Sequence, residues 1–217
     1  MLAEPPVTGK VLVPVLAGGG GSGKSTVLNM FSTDADAIFD TTFSYPEYAE
    51  RLHNQILASG RKMEVLYIHR QFDKAFENII GRFLKGKATG DPRIVPLPVA
   101  ASAHAGAQDL ILNLKNIPIK VFDNNRSIDE IGEISLGQLT DQSYDRQHEP
   151  GRDESENRSE ETEGSPRKGD ERTGGNRGDQ SRSETQARLE AEGRAILRLH
   201  REEGLLTDEE VSAFLAE

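Results

Sequence analysis

Cysteine and tryptophan are both absent from the 217 residues, and aromatic side chains make up only 6% of them. Without cysteine there is no disulfide framework and no thiolate metal site, which suits a reducing, cytoplasmic setting. The first residues, Met1 to Pro6, lack a charged n-region and an apolar h-region, and no apolar run reaches the length of a bilayer span. The expectation is a soluble cytoplasmic protein with no membrane partner. Hydrophobic residues total 35%, and the shortage is local: from Asp141 to Gln186 the only one is Tyr144. Such a stretch buries too little apolar surface to offset its ordering entropy, and it reads as a disordered charged linker. Positive charge is scarce too. The formal net charge of −10 leaves no evident basic track for a polynucleotide and argues against nucleic acid as a partner. The histidines form no cluster at metal-ligand spacing, so no protein-bound zinc is expected.

Glycine, by contrast, is concentrated where it carries chemistry. Gly18-Gly19-Gly20-Gly21-Ser22-Gly23-Lys24-Ser25, with Thr26 behind it, fits the P-loop pattern G-x-x-x-x-G-K-S/T and lies between an apolar run and a helical segment. Successive backbone amides of such a loop, with the positive end of the following helix, form a concavity for the phosphates of a nucleoside triphosphate. Lys24 is placed to reach the β- and γ-phosphates, and Ser25 to hold Mg²⁺. The preceding run, residues 11–17, has the continuous apolar character of a strand covered on both faces. Pro14 inside it removes a ladder donor and predicts an irregular strand there.

Apolar runs at 37–40, 65–68 and 117–123 read as further strands, with helices between them. Ser44 to Glu47 looks like a capping box opening a helix that stops at Gly60. Phe72, Ala75, Phe76, Ile79, Ile80, Phe83 and Leu84 recur at helical spacing, and Gly86 is expected to end that helix. A proline-containing loop and a helix around 109–114 follow. Strands alternating with helices predict an α/β fold, a P-loop NTPase-type parallel sheet sandwiched by helices. Ligands of such sheets bind beyond the carboxyl ends of the strands, which brings the glycine loop, Asp40, residues 67–70 and Asp123 to one rim. The expected organisation is a P-loop domain over residues 1–140, the linker over 141–186 and a helical hairpin over 187–217. Leu189, Ala195, Ile196 and Leu199 form the hairpin's first apolar stripe, Gly204 closes that helix, and Thr207 with Glu210 caps the next. Alone it is too small to hold a core, so it should dock on something or pair with another copy.

The glycine loop, residues 38–44, residues 58–68, Arg93-Ile94-Val95-Pro96 and Phe122-Asp123-Asn124 occur in an order that resembles the zeta toxin family over about residues 10–130. The resemblance implies a P-loop kinase using ATP and Mg²⁺. It also implies a small hydroxyl acceptor such as the UDP-amino sugar UDP-N-acetylglucosamine, and an antitoxin protein as partner. Longer family members carry an extra strand and helices with an Asp-rich motif before the strand that ends at Asp40, where this chain has only residues 32–36.

Phosphoryl transfer asks for a phosphate cradle, a metal, a group that orients or deprotonates the acceptor, and cations on the transferring phosphoryl. Asp40, a carboxylate at a strand end beside the loop, is the candidate for the third part, with Thr42 as a substrate contact. Arg82 lies at the edge of the apolar stripe of its helix, where its head can reach round toward a site. Arg93 is assigned with it through the resemblance, as a clamp on the phosphates. His104 and residues 123–125 receive no chemical role. Against the kinase stands a reduced nucleotide-binding module that orders a surface for a partner; a nucleic-acid kinase or ATPase is the third reading.

Overall fold

The computed structural model describes residue 6 and residues 11–30, 35, 37–127, 130–142 and 175–216. Five strands form one sheet: β1 (Leu12–Ala17), β2 (Phe39–Asp40), β3 (Lys62–His69), β4 (Ile119–Asp123) and β5 (Gly132–Ile134). Their spatial order is β2-β1-β3-β4-β5, all parallel except β5, which returns antiparallel to β4. Alternation along each strand sorts side chains to two faces. Val13, Val15, Met63, Val65, Tyr67 and Val121 face one core, which α2 (Pro46–Ala58), the far half of α4 (Leu97–Asn113) and α5 (Leu136–Asp141) cover. Leu16, Leu66, Ile68 and Phe122 face the other, beneath Val27 and Leu28 of α1 (Lys24–Met30).

Pro14 sits inside β1 without breaking it. Its neighbour on one side is Glu64 of β3, whereas pairing with β2 begins only at Val15. β1 is therefore regular, and the irregularity expected at Pro14 takes the form of a shortened β2. From β1 the chain moves to β2 on one side and then crosses to β3 on the other. That reversal opens a crevice at the carboxyl ends of β1 and β3, where the glycine loop emerges.

Several helix boundaries differ from the sequence reading. The N-cap of α2 is Tyr45, with no side-chain capping bond, because Ser44 Oγ pairs instead with Thr42 Oγ1 at 3.1 Å. α3 (Phe72–Thr89) runs through Gly86 and ends at Gly90, whose φ of 83° is the left-handed conformation of a helix C-terminus. Gly86 is small for another reason: the Asp91 backbone folds back over it and donates its amide to the Gly86 carbonyl at 2.9 Å. α4 starts at Leu97, well before residue 109, because a proline in the first turn forfeits no helical hydrogen bond. The hairpin β4–β5 and the short α5, capped reciprocally by Ser135 and Gln138, had not been read from the sequence.

The C-terminal region is helical. α6 (Gly175–Glu202) begins within the stretch read as linker, and residues 143–174 lie outside the described residues. α7 (Asp208–Leu215) carries the expected Thr207–Glu210 capping box. Both helices pack on α3 and α4. Leu189, Ile196, Leu197, Leu206 and Phe214 join Phe72, Phe76, Ile80, Phe83, Leu97 and Ala101 in a third buried cluster.

Candidate functional site

Residues 18–25 wrap the end of β1 and deliver the chain into α1. The loop's glycines answer to its neighbours. Gly21 has φ 77°, and a side chain there would also drive into the Ala75 backbone carbonyl of α3. A Cβ on Gly19 would collide with the His104 ring of α4.

A consecutive row of loop carbonyls is held by side chains. Lys24 Nζ donates to the carbonyls of Gly18 at 2.8 Å and Gly19 at 3.3 Å. His104 Nε2 donates to Gly20 at 2.8 Å, Asn78 Nδ2 to Gly21 at 2.9 Å, and Asn124 Nδ2 to Ser22 at 2.7 Å. These donors come from α1, α4, α3 and the end of β4, so the loop's shape is fixed by the whole fold. The amides on the other side of the loop have fewer partners. No described residue accepts from the amides of Gly19, Gly20, Gly21 or Gly23, and the buried Ser22 Oγ has no partner among the described residues. Buried donors without partners are costly, and a bound anion would satisfy them.

Burial depresses the pKa of Lys24; the Asp40 carboxylate works against that shift and the Arg82 guanidinium adds to it. Lys24 therefore feels both groups. Burial likewise holds His104 at about 4 and His69, at the end of β3, at about 4. His104 is thus neutral at pH 7, and because a carbonyl only accepts, its proton resides on Nε2.

Asp40 is exposed at the end of β2, paired in register with Leu16 of β1, one strand from the loop. The backbone carbonyl of Thr42 accepts from the Gly18 amide at 3.1 Å, so its segment anchors the loop's first residue. Ser25 is exposed and Thr26 half-buried in the first turn of α1. Two cavities flank α3 and share Arg82 and Lys85. One, of about 570 Å³, is lined by Gly23, Thr26, Arg70, Asn124 and Arg126. The other, of about 480 Å³, is lined by Gly20, Ile79, Arg93 and Val95. Arg93 lies 3.3 Å from Asp91, both largely exposed.

Ser25, next to Lys24, and Asp40, at the end of β2, carry hard oxygen donors of the kind Mg²⁺ takes. No group of three or more potential metal ligands occurs among the described residues.

Sequence reasoning missed Asn78 and set aside His104 and Asn124. Each is a single polar residue far from the loop in sequence, and no local pattern announces it.

A glycine-rich loop between the inner strand of a parallel sheet and the helix that follows, at the point where strand order reverses, defines a P-loop nucleotide-binding fold. The family model described as zeta toxin matches residues 31–132, so the likeness read from the sequence holds from just after α1 to the start of β5. No curated protein matches the chain significantly. Among solved structures, the fold is similar to the AvrRxo1-ORF1:AvrRxo1-ORF2 complex crystallised with sulphate ions, at 12% identity and a TM-score of 0.44, over 61% of this chain and 63% of that one. It is also similar to the AvrRxo1-ORF1:-ORF2 complex with ATP, at 12% identity and a TM-score of 0.46, over 66% of each chain. The chain spans less than two thirds of the first of these. Among the described residues, no helix is long and apolar enough to cross a membrane.

Proposed function

We propose that the chain is a zeta-toxin-like kinase that transfers the γ-phosphoryl group of ATP to a hydroxyl of a small acceptor. The observation that carries this reading is the glycine loop itself. Its carbonyls are engaged from Gly18 to Ser22, the amides of Gly19, Gly20, Gly21 and Gly23 are unclaimed by described residues, and Lys24 feels the charges of both Asp40 and Arg82. On binding, Lys24 Nζ exchanges the Gly18 and Gly19 carbonyls for β- and γ-phosphate oxygens. Arg82, shared by both cavities, and Arg93, on the Gly20 side, neutralise the equatorial oxygens of the transferring group. Asp40 orients the acceptor and takes its proton as the new P–O bond forms and the bond to the β,γ-bridging oxygen breaks, with ADP leaving. Thr42 contacts the acceptor. Ser25 would hold Mg²⁺, which would supply charge neutralisation to the triphosphate.

The family resemblance supports a UDP-amino sugar such as UDP-N-acetylglucosamine as acceptor and an antitoxin as protein partner. A reduced nucleotide-binding module is the second reading, favoured by the short interval between Met30 and Phe39, which leaves no room for the longer members' insert.

Calorimetry with ATP·Mg²⁺ tests the first part. Lys24→Ala should weaken binding roughly 10- to 150-fold, the worth of about 1.5–3 kcal/mol for a charge-assisted contact. Equal affinity in wild type and variant overturns the assignment. Transfer of radiolabel from ATP to nucleotide sugars, sugars or oligonucleotides separates a small-molecule kinase from a nucleic-acid kinase and from a module that only binds.

A further inference from the structure

The helices beyond residue 174 touch three of the elements around the phosphate site: α3, α4 and the segment after β2. On α3, the Phe214 ring of α7 stands edge-on to Phe76 and to Phe83, with centroids 6.1 and 5.3 Å away. Lys87 pairs with Glu210, and His200 Nε2 lies 3.1 Å from Glu77 Oε2. Glu77 immediately precedes Asn78, the donor to Gly21, and lines the same cavity as Arg82. On α4, the helix that carries His104, Leu97 fills the space a side chain on Gly193 of α6 would need. On the segment after β2, the Arg182 guanidinium of α6 lies 5.5 Å from the Tyr45 ring centre, three residues beyond Thr42.

We infer that the α6–α7 hairpin is a splint whose docking and the nucleotide's binding reinforce each other. The inference rests on the reading of the loop as an ATP site and adds how that site is regulated. The loop's shape depends on donors from α3 and α4. The hairpin shares their buried cluster, and those helices present its apolar face with its partner. Docking that restrains α3 and α4 pre-positions Asn78, His104 and Arg82, so less ordering is left for ATP to impose. By linkage, ATP must tighten hairpin docking by the same factor. Whatever binds the hairpin in its undocked form, a partner protein above all, would lower nucleotide affinity without touching the loop.

Hydrogen exchange of the full chain with and without saturating ATP·Mg²⁺ provides the test, with calorimetry on the same samples. Bound nucleotide should slow amide exchange in α6 and α7 by roughly five-fold or more, a typical coupling factor. Phe214→Ala should speed exchange there and weaken ATP binding by a similar factor while the β3 amides stay protected. Leu199→Ala, at a position 57% exposed on α6, should change neither. If wild type binds ATP but exchange in α6 and α7 does not respond, or if Phe214→Ala frees the hairpin at wild-type affinity, the coupling is wrong and the ATP site stands. If wild type shows no ATP binding, both fall. Should Phe214→Ala also lose protection in β3, the wild-type comparison decides alone.

Discussion

His104 offers the sharpest separation of packing from hydrogen bonding at the phosphate loop. Its neutral imidazole donates to the Gly20 carbonyl at 2.8 Å while its ring meets Phe72 edge-on at 5.3 Å. His104→Phe keeps an aromatic ring against Phe72 and fills the space behind Gly19, but it offers Gly20 no donor. His104→Ala loses the donor, the ring contact of about 0.5–1.5 kcal/mol and the volume. A carbonyl left without its partner costs about 1–3 kcal/mol. If 1–2 kcal/mol of that appears as a loop less suited to phosphate, ATP affinity falls roughly 5- to 30-fold. The expectation is that His104→Phe melts only a few degrees below wild type yet binds ATP that much more weakly. His104→Ala should be impaired in both respects, and His104→Gln, which retains an N–H donor, should recover most of the affinity. Titration calorimetry and thermal unfolding on the same preparations give both numbers. Wild-type affinity in His104→Phe would refute the view that the carbonyl row shapes the cradle.

If Asp40 is the group that orients the acceptor, Asp40→Asn should leave ATP affinity within about three-fold yet abolish transfer of radiolabel, and Arg82→Ala should reduce turnover more than binding. Loss of ATP binding in Asp40→Asn would favour the binding-module reading. Stability should also fall in acid. His69 and His104 are each held near 4 by burial, so the unfolded chain takes up protons at about 6.5 that the folded chain refuses. Stability is full above about pH 6.5 and declines as pH drops toward 4, by about 3 kcal/mol per histidine at pH 4. Denaturant midpoints across that range should show the loss, and His104→Phe should remove roughly half of it. An unchanged slope in that variant would mean that His104 does not contribute to the decline.

The parts of this molecule that were legible in the sequence are those whose signal is local. Eight contiguous residues spelled the loop, apolar runs marked β1, β3 and β4, and the phenylalanine spacing marked α3. The rim rule for parallel sheets then brought Asp40 to the loop's end of the sheet, and helical spacing set Arg82 at the edge of its apolar stripe, 58 residues beyond Lys24. What stayed hidden is long-range and polar. Asn124 reaches a carbonyl 102 positions earlier, and His104 one 84 earlier, through single hydrogen bonds with no periodic trace. The start of α4 was misplaced because alanine on nearly every face gives little contrast between faces. On α6 the apolar stripe was seen but its orientation was not: Leu199, read as part of it, is exposed, whereas Leu197 is buried against α3 and α4. Which surface a stripe covers depends on where the rest of the chain goes.

Pro14 has one further effect. Strand β2 meets β1 only at Val15 and Leu16, so among the described residues the earlier part of β1 has no partner on that flank, and Val11 and Leu12 beside it are exposed. An open strand flank with apolar neighbours invites a foreign strand to add itself. Pro14 lacks the amide that such an addition would require, so the ladder cannot propagate past it. The imino acid that shortens β2 thereby also guards the molecule against self-association through its most apolar strand.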